Sequence, residues 1–153
     1  DSFKTELMRS GHNFDTAGAT PAGNAFKLAL YTSSANLGTT TTVYSATNEI
    51  TNAAGSAYSA GGKALTNSGV TTSTVTSHTD FADLSVANGT AWTSASFTTR
   101  GCLIYNTTAI SGFTTNRAVC SIDFGGDKTV SNGTFSIEFP TNSSSAAIIR
   151  LTS

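Results

Sequence analysis

The chain has 153 residues, eight Lys and Arg against nine Asp and Glu, and only 11% charged residues, where about 25% is usual for soluble domains. A net charge of -1 at pH 7 leaves no basic excess with which to neutralise phosphates, which argues against nucleic acid as a partner. No run approaches the roughly 18 apolar residues that cross a bilayer, and the opening residues lack the basic-then-apolar pattern of a signal peptide, so a chain in solution with no membrane partner is expected.

At this length one domain buries roughly 68–70% of its unfolded surface, so disulfide or metal staples are not required for folding. Thr (28) and Ser (21) together make up a third of the chain. The β-branch of Thr suits a pleated strand, while Ser, Asn and Gly suit turns, so the composition predicts an all-β protein. Nine Phe, four Tyr and one Trp with 38% hydrophobic residues argue for a packed core rather than a disordered hydroxyl-rich segment.

In chain order, residues 2–10, SFKTELMRS, predict the one helix. Ser2 can N-cap it, Phe3 and Leu7 sit four apart with Met8 beside them, and Gly11 can supply the left-handed stop. A helix of about two and a half turns does not persist alone. Phe3, Leu7 and Met8 are therefore candidate partner contacts, made either to the chain's own domain or to a neighbour. Residues 11–24 are rich in turn formers and read as a connector. The expected organisation is an N-terminal arm over 1–24 and a β-sandwich domain over 25–153.

From Phe26 the pattern changes to period two, with Phe26, Leu28 and Leu30 on one face and Lys27, Ala29 and Tyr31 on the other, the mark of a half-buried strand. Weaker strands are expected at 41–45, 48–52, 62–67, 69–76 and 80–86, and clearer ones at 95–99, 101–105, 118–124 and 146–152. Residues 128–139 read as a hairpin about Asn132-Gly133, with Phe135, Ile137 and Phe139 alternating after the turn. Short strands at this spacing without intervening helices predict an antiparallel β-sandwich, jelly-roll or immunoglobulin-like. Its core is expected to hold Phe26, Leu28, Leu30, Ile104, Ile122, Phe135, Ile137 and Phe139.

Chemistry is sparse. Ser77, His78 and Asp80 fall within four residues, but a triad draws its members from separate elements, so a polar turn between strands is expected. His12 and His78 with Cys102 and Cys120 lack metal-ligand spacing. Asp123 and Asp127 flank Gly125-Gly126, too few acids for a calcium loop, and read as a tight turn. No cofactor is expected. A hairpin about Ser111-Gly112 would set Cys102 opposite Cys120; both also lie among apolar residues, where free thiols behave as small hydrophobes. Free thiols are the expectation. Trp92 with Tyr31, Tyr44, Tyr58 and Tyr105 suggests either a sugar-stacking platform or core packing, and core packing is the commoner use. The four Asn-X-Ser/Thr sequons, at Asn88, Asn106, Asn132 and Asn142, are about what this Ser and Thr content produces by chance.

The stretches AFKLALYTSSANLGTTTTVYSATNEI, YSAGGKALTN, FTTRGCLIYNTTAISGFTTNRAVCSIDFGGDKTVSNGTFSIEFP and AIIRL, spanning nearly all of 25–151, resemble a family of small virion structural proteins of tailed bacteriophages. SFKTELMRSGHNF fits as well, and NRAVCSIDFGGDKTVSNGTFSIEFP is the most specific part. The resemblance implies a β-sandwich subunit without catalytic residues, assembled in the host cytoplasm and mounted on the virion as a capsid decoration, or cement, protein. Its implied partner is the major capsid protein, and a symmetric homo-oligomer such as a trimer is expected. The same modules also serve at head fibres, collars and tail fibres, where receptor or carbohydrate binding is the alternative role. Members of the family carry small or aliphatic residues where Cys102 and Cys120 stand, which agrees with free thiols.

Overall fold

The computed structural model describes residues 2–51 and 56–153. Among them are one helix, α1 (Ser2–Met8), and seven strands: β1 (Phe26–Tyr31), β2 (Lys63–Leu65), β3 (Asn67–Ser73), β4 (Thr76–Phe81), β5 (Trp92–Asn106), β6 (Arg117–Phe135) and β7 (Ile149–Thr152). All strand pairings are antiparallel, in a four-stranded sheet ordered β2-β1-β5-β6 and a three-stranded sheet ordered β3-β4-β7. The chain is an all-β sandwich with one short helix. Its four-plus-three count matches immunoglobulin constant-type domains, but its strand order does not.

Phe26, Leu28 and Leu30 of β1 point between the sheets and share one core with Phe81 of β4 and Trp92 and Ile104 of β5. Phe14 stacks on Phe26 with ring centroids 4.6 Å apart, and Phe81 meets Phe26 at 5.5 Å, so aromatic contact joins the two sheets. The other face of β1, expected in solvent, is buried too. Ala29 and Tyr31 lie with Leu103 and Tyr105 beneath Leu37 and Tyr44. The chain after β1 folds back over its own sheet, Ile50 N donating to Leu30 O at 2.9 Å and Thr32 N to Asn48 O at 3.0 Å. This cover has no periodicity, which is why the alternation of β1 does not announce it.

Several expected boundaries move. Segments 95–99 and 101–105 are one strand, β5, and 118–124 with 128–135 form another, β6. Asn132-Gly133 is not a hairpin. Only Asn132 takes a positive φ (47°), whereas the hairpin turn needs two such residues. Ala95 pairs with Gly133 and Phe97 with Val130, so two residues of β6 face one of β5. That is a bulge, with Asn132 N donating to Ser96 Oγ at 2.9 Å. The Asp123–Asp127 run is a larger irregularity in the same strand, since Gly101 pairs with Asp123 and Thr99 with Lys128. The stretches at 41–45 and 48–52 reduce to single bridges, Val43 with Arg117 and Glu49 with Tyr31; residue 52 lies outside the described residues. β4 lies earlier than the stretch expected at 80–86, because its residues are buried almost throughout and carry no period-two signal. Ile122, Phe135, Ile137 and Phe139 pack against the core but stay half-exposed.

At the N-terminus, α1 ends with Ser10 in the left-handed region (φ 61°), not Gly11. Gly11 N donates to Glu6 O at 2.7 Å and Ser10 N to Leu7 O at 3.1 Å, which satisfies the last carbonyls. Gly11 is small because a Cβ there would stand 2.7 Å from the Phe113 ring and 2.9 Å from Glu6 O. Residues 11–24 are built into the domain. His12 and Phe14 are buried, Asn13 N donates to Asn24 Oδ1 at 2.9 Å, and Asn67 Nδ2 donates to Asp15 O and Asn24 O.

Candidate functional site

The helix face decides the fate of the three expected contacts. Phe3 and Leu7, four apart, pack on the domain's own core, while Met8 is 89% exposed. One position is about 100° of helix rotation, so a residue beside Leu7 leaves its face. Of the two alternatives for these side chains, Phe3 and Leu7 meet the chain's own domain, and Met8 faces outward. Behind the helix, His12 Nε2 lies 3.0 Å from Glu6 Oε2, and His12 Nδ1 lies 3.2 Å from Asn106 Nδ2. Buried Arg117 donates to Gly11 O (2.8 Å) and Thr114 O (2.7 Å), with its guanidinium over the Phe113 ring. Burial holds His12 below its ordinary pKa, against the pull of its Glu6 bond and in concert with nearby Arg117. These groups clamp α1 onto the sheet end.

Asp80 and Asp123, unlike His78, are also tied to the scaffold. Ser77, His78 and Asp80 lie within β4 rather than on a turn. Ser77 Oγ meets Thr72 Oγ1 at 3.1 Å, while Asp80 accepts from Phe81 N (2.8 Å) and Ile148 N (3.2 Å). Burial raises the Asp80 pKa, and those two amides oppose the rise. Buried His78 keeps Nδ1 without a partner among the described residues. Exposed Asp123 accepts from Arg100 Nε (2.8 Å) and from Gly125 N (2.8 Å), and both bonds hold its carboxyl below the usual range. Among the described residues no three His, Cys, Asp or Glu side chains converge as a metal site would require.

Cys102 is opposite Ile122 and Cys120 opposite Ile104, a register displaced from the direct facing that a symmetric hairpin would give, and both are free thiols. Burial pushes the Cys102 thiol far up, and pushes Cys120 up to about 11 with a smaller contribution from Asp80.

The aromatic platform does not form: Trp92, Tyr31, Tyr58 and Tyr105 are all buried, and Tyr44 is half-buried. What the tyrosines build instead is a clamp on buried Glu49. Tyr44 Oη donates to its Oε2 at 2.6 Å, and Tyr58 Oη and Gly61 N donate to its Oε1 at 2.7 Å. Desolvation and Glu49 together raise the tyrosine pKa values, that of Tyr105 to about 12. Nothing in the spacing of Tyr44, Glu49 and Tyr58 signals this, because each comes from an irregular stretch.

Two open grooves stand out. One, of about 440 Å³, runs between residues 7–21 and the smaller sheet, with His12, His78 and Leu151 on its walls. The larger, about 540 Å³, lies beside the second half of β6 and is lined by Ile122, Phe124, Phe135, Ile137, Phe139 and Ile148, with Lys128 and Glu138 among its remaining walls. Its apolar side chains are only partly buried. The alternation of Phe135, Ile137 and Phe139 points to this face, but as core; the missing cover is visible only in three dimensions. Comparison of the chain with family models, with curated proteins and with solved structures found no match.

Proposed function

We propose that the chain is a non-enzymatic virion structural protein of a tailed bacteriophage, a capsid decoration protein that reinforces the head shell against the major capsid protein. The observation that carries this reading is the open apolar groove beside β6, whose lining side chains are only partly buried, on a domain in which His12, Glu49 and Asp80 bond to its own scaffold. Contiguous exposed apolar surface marks association. The resemblance over residues 25–151 supports the same reading. Repeated on a symmetric shell, modest contacts sum to a large stabilisation without any reactive group.

Imaging of intact particles by cryo-electron microscopy tests it. The expected map places the sandwich across the head surface in register with the shell subunits. Density confined to a collar or to fibres refutes the decoration role and favours the receptor- or carbohydrate-binding alternative. A glycan array would then identify the ligand.

A further inference from the structure

The groove beside β6 is apolar at its centre and carries two opposite charges. Lys128 and Glu138 both line it and are exposed. In a chain with only 11% charged residues, a cation and an anion on one apolar face are notable. Neither makes an ion pair or side-chain hydrogen bond among the described residues, and they are more than 4.0 Å from each other.

We infer that a second copy of this chain covers the groove, face to face across a two-fold axis. The inference gives this face to self-association and leaves the shell contact to other surfaces of the dimer, and so it rests on the reading of the chain as an assembling structural protein. Charge complementarity selects this occupant. A patch with one cation and one anion around an apolar centre is complementary to itself under a two-fold, because an axis between them sets each Lys128 against Glu138 of the other copy. The same patch has no net charge and so suits neither a polyanion nor a strongly basic surface. A net charge of -1 per chain puts little repulsion in the way of pairing. Pairing removes from water the part of Phe124, Phe135, Ile137 and Phe139 that the domain's own core leaves uncovered.

Sedimentation of the purified full chain at roughly 50 µM tests the inference. The wild-type chain sediments as a dimer. Lys128→Glu or Glu138→Lys each weakens the dissociation constant at least about tenfold, since both symmetry-related pairs turn repulsive at once. The double variant K128E/E138K recovers the dimer, and an equimolar mixture of the two single variants forms a heterodimer. In the wild-type chain a zero-length carbodiimide joins Lys128 to Glu138 between chains, which needs no variant to fold. A monomer at that concentration, a trimer, or a dimer indifferent to both reversals overturns the inference. A protein that dimerises but is missing from the shell refutes the decoration role alone; one that decorates the shell as a monomer refutes the dimer alone.

Discussion

At the scale of single residues, buried Glu49 gathers three hydrogen bonds on one carboxylate. It accepts from the phenols of buried Tyr58 and half-buried Tyr44 and from the Gly61 amide. Glu49→Ala strands those donors and is expected to cost about 3 kcal/mol in urea unfolding, with Glu49→Gln recovering part of it. His12 sets a pH dependence. Its folded pKa lies below the ordinary 6.5, chiefly because it is buried. The unfolded state therefore binds more protons between the folded and unfolded values, and stability is complete above the unfolded pKa and lost as pH falls below it. Unfolding free energy should drop as pH falls through about 6.5, by at most about 1.4 kcal/mol per pH unit. His12→Gln should flatten most of that slope. The thiols are protonated and largely enclosed, so alkylation should be slow in the native protein and complete for both once denatured without reductant. Mass spectrometry showing a Cys102–Cys120 crosslink would contradict the free-thiol structure.

At the scale of elements, the N-terminal segment is the instructive case. A helix of seven residues cannot persist alone, and it is held by Phe3 and Leu7 on the core, by Glu6 on His12 and by Arg117 on Gly11 O. Phe14, further along, lies inside the sandwich. An independent arm could be cut away without thermal cost; this segment cannot. Deleting residues 1–24 empties a Phe-sized site, worth about 3–5 kcal/mol, and should lower the melting temperature by on the order of 10 °C by differential scanning calorimetry. An unchanged melting temperature would show that the docked helix contributes nothing. The bulges of β6 act at the same scale. By twisting the strand at 123–128 and 130–133, they make a long sheet edge a poor template for open-ended strand addition.

At the scale of the whole molecule, the two sheets hold together through aromatic rings rather than through shared strands. Phe81 of the smaller sheet touches Phe26, Phe14 and Phe139. Phe81→Ala should therefore destabilise by about 3–5 kcal/mol. It should do so within one cooperative transition, since residues of both sheets share the one large core. Coincident far- and near-ultraviolet circular dichroism melts would bear this out, and two separated melts would refute it.

The all-β class was legible in the amino-acid sequence, from a third of the chain being Ser and Thr and from the clean alternation at Phe26–Leu30, whereas the equally clean alternation at Phe135–Phe139 overran a strand that ends at Phe135 and continues only as an isolated bridge of Ile137 to Leu84. The existence of α1 was legible as well, because i, i+4 pairing is local, although Ser2 lies inside the helix rather than capping it and the left-handed stop is Ser10 rather than Gly11. Only the tertiary structure decided which alternating residues would be covered. Ala29 and Tyr31 gain a roof from an irregular loop, while Phe135, Ile137 and Phe139 carry the same pattern and keep one side open. Periodicity reports which side chains share a face; whether that face meets another element, water or a second molecule depends on segments far away in the chain, such as the stretch after β1, and those leave no mark on the strand they cover.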